Sequence, residues 1–278
     1  MNLRCLTLAF LAAFLLSSAL RADVRDRAVV SLTFDGENAA TDSARSGKVP
    51  DAVTLTNGLQ RIASAFVPGS AGNSVIADPA AKQQIVIAHS DDLNRPEAVT
   101  VSGFFASLHP LNDATFHGLF AKRKPASGSN GDVTNYGINY QPSSDTLQLY
   151  VNDGAGGYKV AIFSLQSALG YRRRVHLAAT WAAGDAPGTD ADADADDVRM
   201  RLFVNGVALT PKAVSAGVVD GTAGWAVDTS LAKCVNDTPV TIASSFADGE
   251  LTSLICDDIH IFAEALSDDD AKGLFAEV

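Results

Sequence analysis

A chain of 278 residues, 47% of them hydrophobic, is long enough for one large domain with a real core. Its formal net charge is −11, and its one arginine triplet stands in Tyr171-Arg172-Arg173-Arg174. Such a surface repels phosphate backbones and anionic lipid alike, which excludes nucleic acid as a natural partner.

The chain opens with the layout of a secretory signal peptide over residues 1–22. Arg4 is a basic start, Leu6–Leu16 an apolar stretch, and Ser17-Ser18-Ala19 or Leu20-Arg21-Ala22 a small-residue cleavage site. Cys5 precedes the stretch rather than following a cleavage site, which argues against lipoprotein processing. Loss of Arg4 and Arg21 takes the net charge from −11 to −13. The remaining 23–278 is expected as one domain, secreted or periplasmic and exposed at the cell surface. A retained N-terminal anchor is the alternative. No later segment approaches the ~20 apolar residues of a membrane span.

Short apolar or alternating runs divided by Gly, Pro, Asn and Asp follow, the pattern of an all-β protein. Strands are expected near Ala28–Phe34, Val53–Thr56, Ser74–Ala77, Gln84–Ala88, Val99–Ala106, Gly118–Lys122 and Tyr136–Tyr140. Further along they are expected near Thr146–Val151, Lys159–Ser164, Arg173–Trp181, Arg199–Val204, Val240–Ala243 and Leu254–Phe262. So many short strands favour two packed antiparallel sheets. Alternation sets Leu147, Leu149 and Val151 inward, then Val175, Leu177, Ala179 and Trp181, then Met200, Leu202 and Val204. His176 and Thr180 fall on the opposite face, as do Arg199 and Arg201. Asn205-Gly206 is a strong hairpin signal, because a type I′ turn needs φ > 0 at both central positions.

All five tyrosines lie between Tyr136 and Tyr171. Tyr136, Tyr140, Tyr150 and Tyr158 lie on or beside three successive strands, so several could share a surface on which a pyranose ring stacks; Tyr136, Tyr140 and Tyr158 are the candidates, with Trp225, in a Gly-rich loop, as a further one. The alternative is cross-strand packing, the usual role of an aromatic residue on a strand.

Between two strands runs Thr189-Asp190-Ala191-Asp192-Ala193-Asp194-Ala195-Asp196-Asp197. If extended, alternate carboxylates project to one side about 6.7 Å apart and repel by roughly 0.6 kcal/mol per pair in water. That is small enough for a solvated acidic loop, and calcium held by Asp190, Asp192, Asp194 and Asp196 is the functional reading. Ala195 stands where an EF-hand needs Gly and Arg201 where it needs Glu, so the loop is no EF-hand. Asp257-Asp258 is a second candidate.

Cys234 and Cys256, 22 residues apart, remain after processing. In an oxidising compartment the pair reads as a disulfide contributing roughly 3 kcal/mol, or else as two independent buried thiols. One helix is expected at the end. Ser267 is its N-cap, Asp268–Asp270 favour its first turn, and Ala271, Leu274 and Phe275 form an apolar stripe.

Five motifs occur in order along the chain: Leu32-Thr33-Phe34-Asp35-Gly36, Val99–Phe104, Val175–Thr180, Arg201-Leu202-Phe203-Val204-Asn205-Gly206, and Cys256–Phe262 followed by Ala265-Leu266-Ser267. Together they resemble the LamG-like domains of the concanavalin A-like lectin and glucanase superfamily, although Arg174 stands where members often carry Trp. The resemblance implies an antiparallel two-sheet jelly-roll β-sandwich with a short C-terminal helix. It also implies a binding module whose contacts vary between members. The partner expected is an extracellular polysaccharide or glycoprotein, with calcium as an assisting ion and no other cofactor. An adhesion module for a cell-surface protein is the alternative, and a diverged glycan-active enzyme a third. Catalysis is not expected: the E-x-D-x-x-E strand of jelly-roll glycosidases is absent, and the five histidines show no H-E-x-x-H or close metal spacing.

Overall fold

In a computed structural model the chain is described over residues 23–35, 41–44, 50–63, 72–94, 97–124, 133–152, 158–166, 169, 173–183, 198–214, 219–220, 224–227, 234–245 and 250–276. Eighteen strands lie within them. The first six are β1 (Val30–Leu32), β2 (Val53–Leu55), β3 (Gln60–Ala63), β4 (Asn73–Ala77), β5 (Ile85–Ile87) and β6 (Ala98–Ser107). Then come β7 (His117–Lys124), β8 (Val133–Gln141), β9 (Thr146–Asn152), β10 (Tyr158–Ser164), β11 (Val175–Ala183) and β12 (Val198–Val204). The last are β13 (Val207–Leu209), β14 (Ala213–Val214), β15 (Val219–Asp220), β16 (Gly224–Val227), β17 (Val240–Ile242) and β18 (Leu254–Phe262), followed by helix α1 (Asp268–Ala276).

They form two antiparallel sheets, an all-β sandwich. One has ten strands, ordered β15-β16-β12-β11-β6-β18-β4-β3, with β1 on β18 and β13 on β12. The other has eight, ordered β14-β10-β9-β8-β7-β17-β5-β2. Alternation fills the space between them. Val175, Leu177, Ala179 and Trp181 of β11 and Met200, Leu202 and Val204 of β12 meet Leu147, Leu149 and Val151 of β9 in one buried cluster. Tyr136 lies 5.7 Å from Trp181 and 5.9 Å from Phe120, ring centre to ring centre. Each such side chain contributes about 1.5–3 kcal/mol by leaving water.

Asn205 and Gly206 take φ of 50° and 74°, and Val204 pairs with Val207 across them, so the hairpin forms where the dipeptide sets it. Ser267 caps α1: its Oγ accepts from the Asp270 amide at 3.1 Å while Asp270 Oδ2 accepts from the Ser267 amide at 3.2 Å.

The outer face of the ten-stranded sheet is not left to solvent. Ala271 of α1 packs on Ala178 and Phe203, and Leu274 joins Ala28, Leu266, Phe262 and the half-buried Val24 of the N-terminal 3₁₀ turn. His176 and Thr180, expected outward, do point that way but are buried beneath this cover. His176 instead meets Ser102 Oγ at 2.8 Å.

One expectation is corrected. Cys234 and Cys256 are free thiols, each enclosed in the core, and Cys234 donates to the Asn152 carbonyl at 3.0 Å. Burial accounts for them as apolar side chains, the second of the two sequence readings. Asp257-Asp258 forms a bulge in β18, where the register shifts and Asp258 takes φ of 50°. There Asp258 pairs with Arg25 at 3.5 Å, a structural tie to the N-terminal segment. The segment 1–22 and the acidic stretch with Asp190, Asp192, Asp194 and Asp196 lie outside the described residues.

Candidate functional site

On the outer face of the eight-stranded sheet, parity turns Gly137 and Asn139 of β8 outward, together with Gln148 and Tyr150 of β9 and Tyr158 and Val160 of β10. Gly137 stands opposite Tyr150 in register. Because Gly137 has no side chain, the Tyr150 ring lies across it: a Cβ built there would fall 2.3 Å from Cζ of that ring. Tyr150 is therefore 97% enclosed despite pointing away from the core, being only 3% exposed.

Tyr158 stands edge-on to this floor, its ring centre 6.0 Å away at 85°. With Phe116, Arg123, Asn139, Gln148, Val160 and Glu250 the two tyrosines line a pocket of about 220 Å³. That is below the ~300–1,000 Å³ of drug-sized sites, room for a ring or two rather than a cofactor. Tyr158 and Phe116 are 39% and 37% exposed, so apolar ring surface is presented to solvent.

Arg123 orders the wall. Its guanidinium donates to Glu250 Oε2 at 3.1 Å and to the Tyr158 hydroxyl at 3.0 Å, and lies 5.7 Å from the centre of the Tyr158 ring. These contacts hold the partly exposed Tyr158 ring in place. Burial pushes the Tyr150 phenol well above its usual range, so it stays protonated. Its hydroxyl, enclosed beside Ser245, lacks a well-formed hydrogen bond. The pocket thus offers ring faces, a carboxylate, two carboxamides and a guanidinium within one small concavity. Among the described residues that line it, Glu250 is the one carboxylate.

Of the sequence candidates, Tyr158 is in this pocket. Tyr136 and Tyr140 are withdrawn from it: they are 0% and 1% exposed, on the inward parity of β8. Their hydroxyls donate to the carbonyls of Leu93 at 3.1 Å and Leu169 at 3.0 Å, so they are core residues with satisfied polar ends. Trp225 stands on β16 opposite Met200, on a strand rather than in a loop. Tyr150, grouped with the other tyrosines in the sequence, also lies in the pocket, whereas Phe116, Arg123 and Glu250 were not legible as part of it, since only the register of β7 to β10 and the return of 250–253 bring them together.

The all-β sandwich is similar in fold to receptor-binding domains of botulinum neurotoxins. The botulinum neurotoxin serotype D binding domain aligns over 92% of this chain and 53% of its own, at a TM-score of 0.60 and 15% identity. The serotype D ligand-binding domain in complex with N-acetylneuraminic acid aligns over 91% and 51%, at 0.58 and 15%. A botulinum neurotoxin type C structure, whose cell entry depends on two ganglioside molecules, aligns over 92% and 52%, at 0.58 and 15%. At such identity the likeness establishes the fold alone, and the chain spans about half the length of these domains. No protein-family model and no curated protein matches the sequence.

Proposed function

We propose that the chain is a glycan-binding module that takes one or two sugar rings against Phe116 and Tyr158. The observation that carries this reading is the aromatic pocket on the open sheet, in which exposed ring faces converge with Asn139, Gln148, Arg123 and Glu250. Sugars present an apolar face edged with hydroxyls, and this pairing of rings with amides and charges is what matches them. Two of the similar structures concern domains that meet N-acetylneuraminic acid or gangliosides, which supports a glycan as the kind of ligand. The reading includes the LamG-like assignment, export through residues 1–22, an extracellular polysaccharide or glycoprotein as partner, and binding without chemistry. Calcium on Asp190, Asp192, Asp194 and Asp196 belongs to it as an assisting ion.

A glycan array with the full chain, with and without EDTA, tests it. Binding to a defined set of glycans is expected. In Tyr158→Ala, loss of the stacking face should weaken that binding by about 10-fold or more, one ring contact being worth roughly 1–2 kcal/mol. Silence across the array together with capture of a defined cell-surface protein would replace this reading with the adhesion module. Release of reducing ends would replace it with an enzyme.

A further inference from the structure

Between β6 and β7 the chain makes a loop that returns on itself, and this brings together three side chains that the sequence spreads over nine residues. His117 Nε2 lies 2.9 Å from Asp113 Oδ2, and His109 Nδ1 lies 3.5 Å from the same oxygen. The two imidazoles stack, ring centres 3.4 Å apart at 17°. One donor atom from each residue falls within 4.8 Å of the others. Two tetrahedral ligands at bond lengths of 2.0–2.1 Å are separated by about 3.4 Å, so the observed spacings bracket those of ligands to one ion.

We propose that His109, Asp113 and His117 form a binding site for a borderline divalent transition ion of the zinc, nickel and copper class. Two imidazoles and one carboxylate suit that class, while calcium would need more oxygen ligands than this cluster offers. The set is braced as such sites require. Asp113 Oδ1 accepts from the Thr115 amide at 2.8 Å, which fixes the carboxylate. Both rings are buried, while the Asp113 side chain, 24% exposed, leaves an approach open for the ion and for a water as fourth ligand.

The hydrogen bonds define what binding changes. His109 Nε2 accepts from the Ser253 amide at 2.9 Å, so the ring proton sits on Nδ1, directed at Asp113. An ion on Nδ1 moves that proton to Nε2, and the Ser253 N–H must turn away. One neutral hydrogen bond is given up, a weaker tie than a metal–imidazole bond. Binding is thereby coupled to the 250–253 segment.

The test uses the full chain, stripped with EDTA and dialysed. Zinc is titrated by calorimetry and by melting temperature, and cobalt(II) serves as a spectroscopic substitute. One equivalent should bind, raising the melting temperature and giving the intense visible bands of four-coordinate cobalt with nitrogen and oxygen ligands. Asp113→Asn, which keeps the shape, and His117→Gln should each weaken binding by about 10–100-fold. If His117→Gln does not fold, the Asp113→Asn comparison decides. Faster hydrogen exchange of the Ser253 amide in the apo chain than in the zinc-bound one would contradict the coupling. No binding by the wild-type chain, or equal affinity in a folded Asp113→Asn protein, would overturn the proposal; the latter would locate the ion elsewhere, for instance on the acidic stretch.

Discussion

Replacing Gly137 by alanine adds a single methyl group to an outward strand position. Ordinarily such a change stabilises by about 0.4–1 kcal/mol, because alanine has less freedom to lose on folding. Gly137 takes no left-handed φ, so nothing in its backbone opposes the change. Its surroundings do. The new carbon would lie 2.3 Å from Tyr150 Cζ and 2.6 Å from both Cε1 and Oη, whereas carbon atoms rest at about 3.5–4.0 Å. The ring must therefore retreat by about 1 Å, pressing on Tyr158. Forced displacement of this size costs about 1–3 kcal/mol, so overpacking wins over the entropy gain by roughly 1 kcal/mol. In urea unfolding the Gly137→Ala midpoint should fall with the slope unchanged. On glycans that the wild-type chain binds, affinity should fall by about 10-fold or more as the floor of the pocket shifts. A variant more stable than its parent, with binding intact, would show that Tyr150 does not lie over this glycine.

Acid should destabilise the sandwich well before its carboxylates are all protonated. Burial, the largest cause for each, lowers His109 and His176 to about 4 and His260 to about 3. With folded values below the unfolded 6.5, the unfolded chain takes up these protons first, so stability is full above pH 6.5 and drains away down to pH 4. Each unit is about 1.4 kcal/mol, which makes a loss of some 2–3 kcal/mol per histidine by pH 4.5. Asp257 runs the other way: burial, helped by the charge of Asp258, raises it to about 7, and its contribution is lost as pH rises from 4 through 7. Burial raises the neighbouring Asp258 as well, so three buried histidines oppose two partly exposed carboxyls, and the urea midpoint of metal-free protein should fall between pH 7 and 4.5; a flat or rising midpoint would refute this. For the cysteines, a thiol reagent should modify Cys234 and Cys256 only after denaturation, and a reductant should leave the melting temperature unchanged. A reductant-sensitive melting temperature would restore the bridge.

Each of the strands expected from the sequence has a counterpart, because long alternating runs such as Val175–Trp181 carry their own burial pattern. The ones missed, β3, β13, β14, β15 and β16, are two to four residues long and owe their pairing to a neighbour rather than to local alternation. The parity of Tyr136, Ile138 and Tyr140 could have placed those tyrosines inside, since they share a face with an aliphatic residue. Tyr150 was legible as outward beside Gln148, but its partner Gly137 was not, as cross-strand register is invisible in one sequence. The His109, Asp113 and His117 cluster escaped for the same reason. Its spacing of four and four is unremarkable until a loop folds it onto itself.

Val24 and Leu274 touch one small cluster on the covered sheet, on the side opposite the pocket. A tether attached beside Val24 or Leu274 would hold the sandwich with its aromatic hollow turned outward, toward whatever drifts past. A label or bead coupled at that cluster should leave the hollow unobstructed. An attachment on the β9–β10 side would block it.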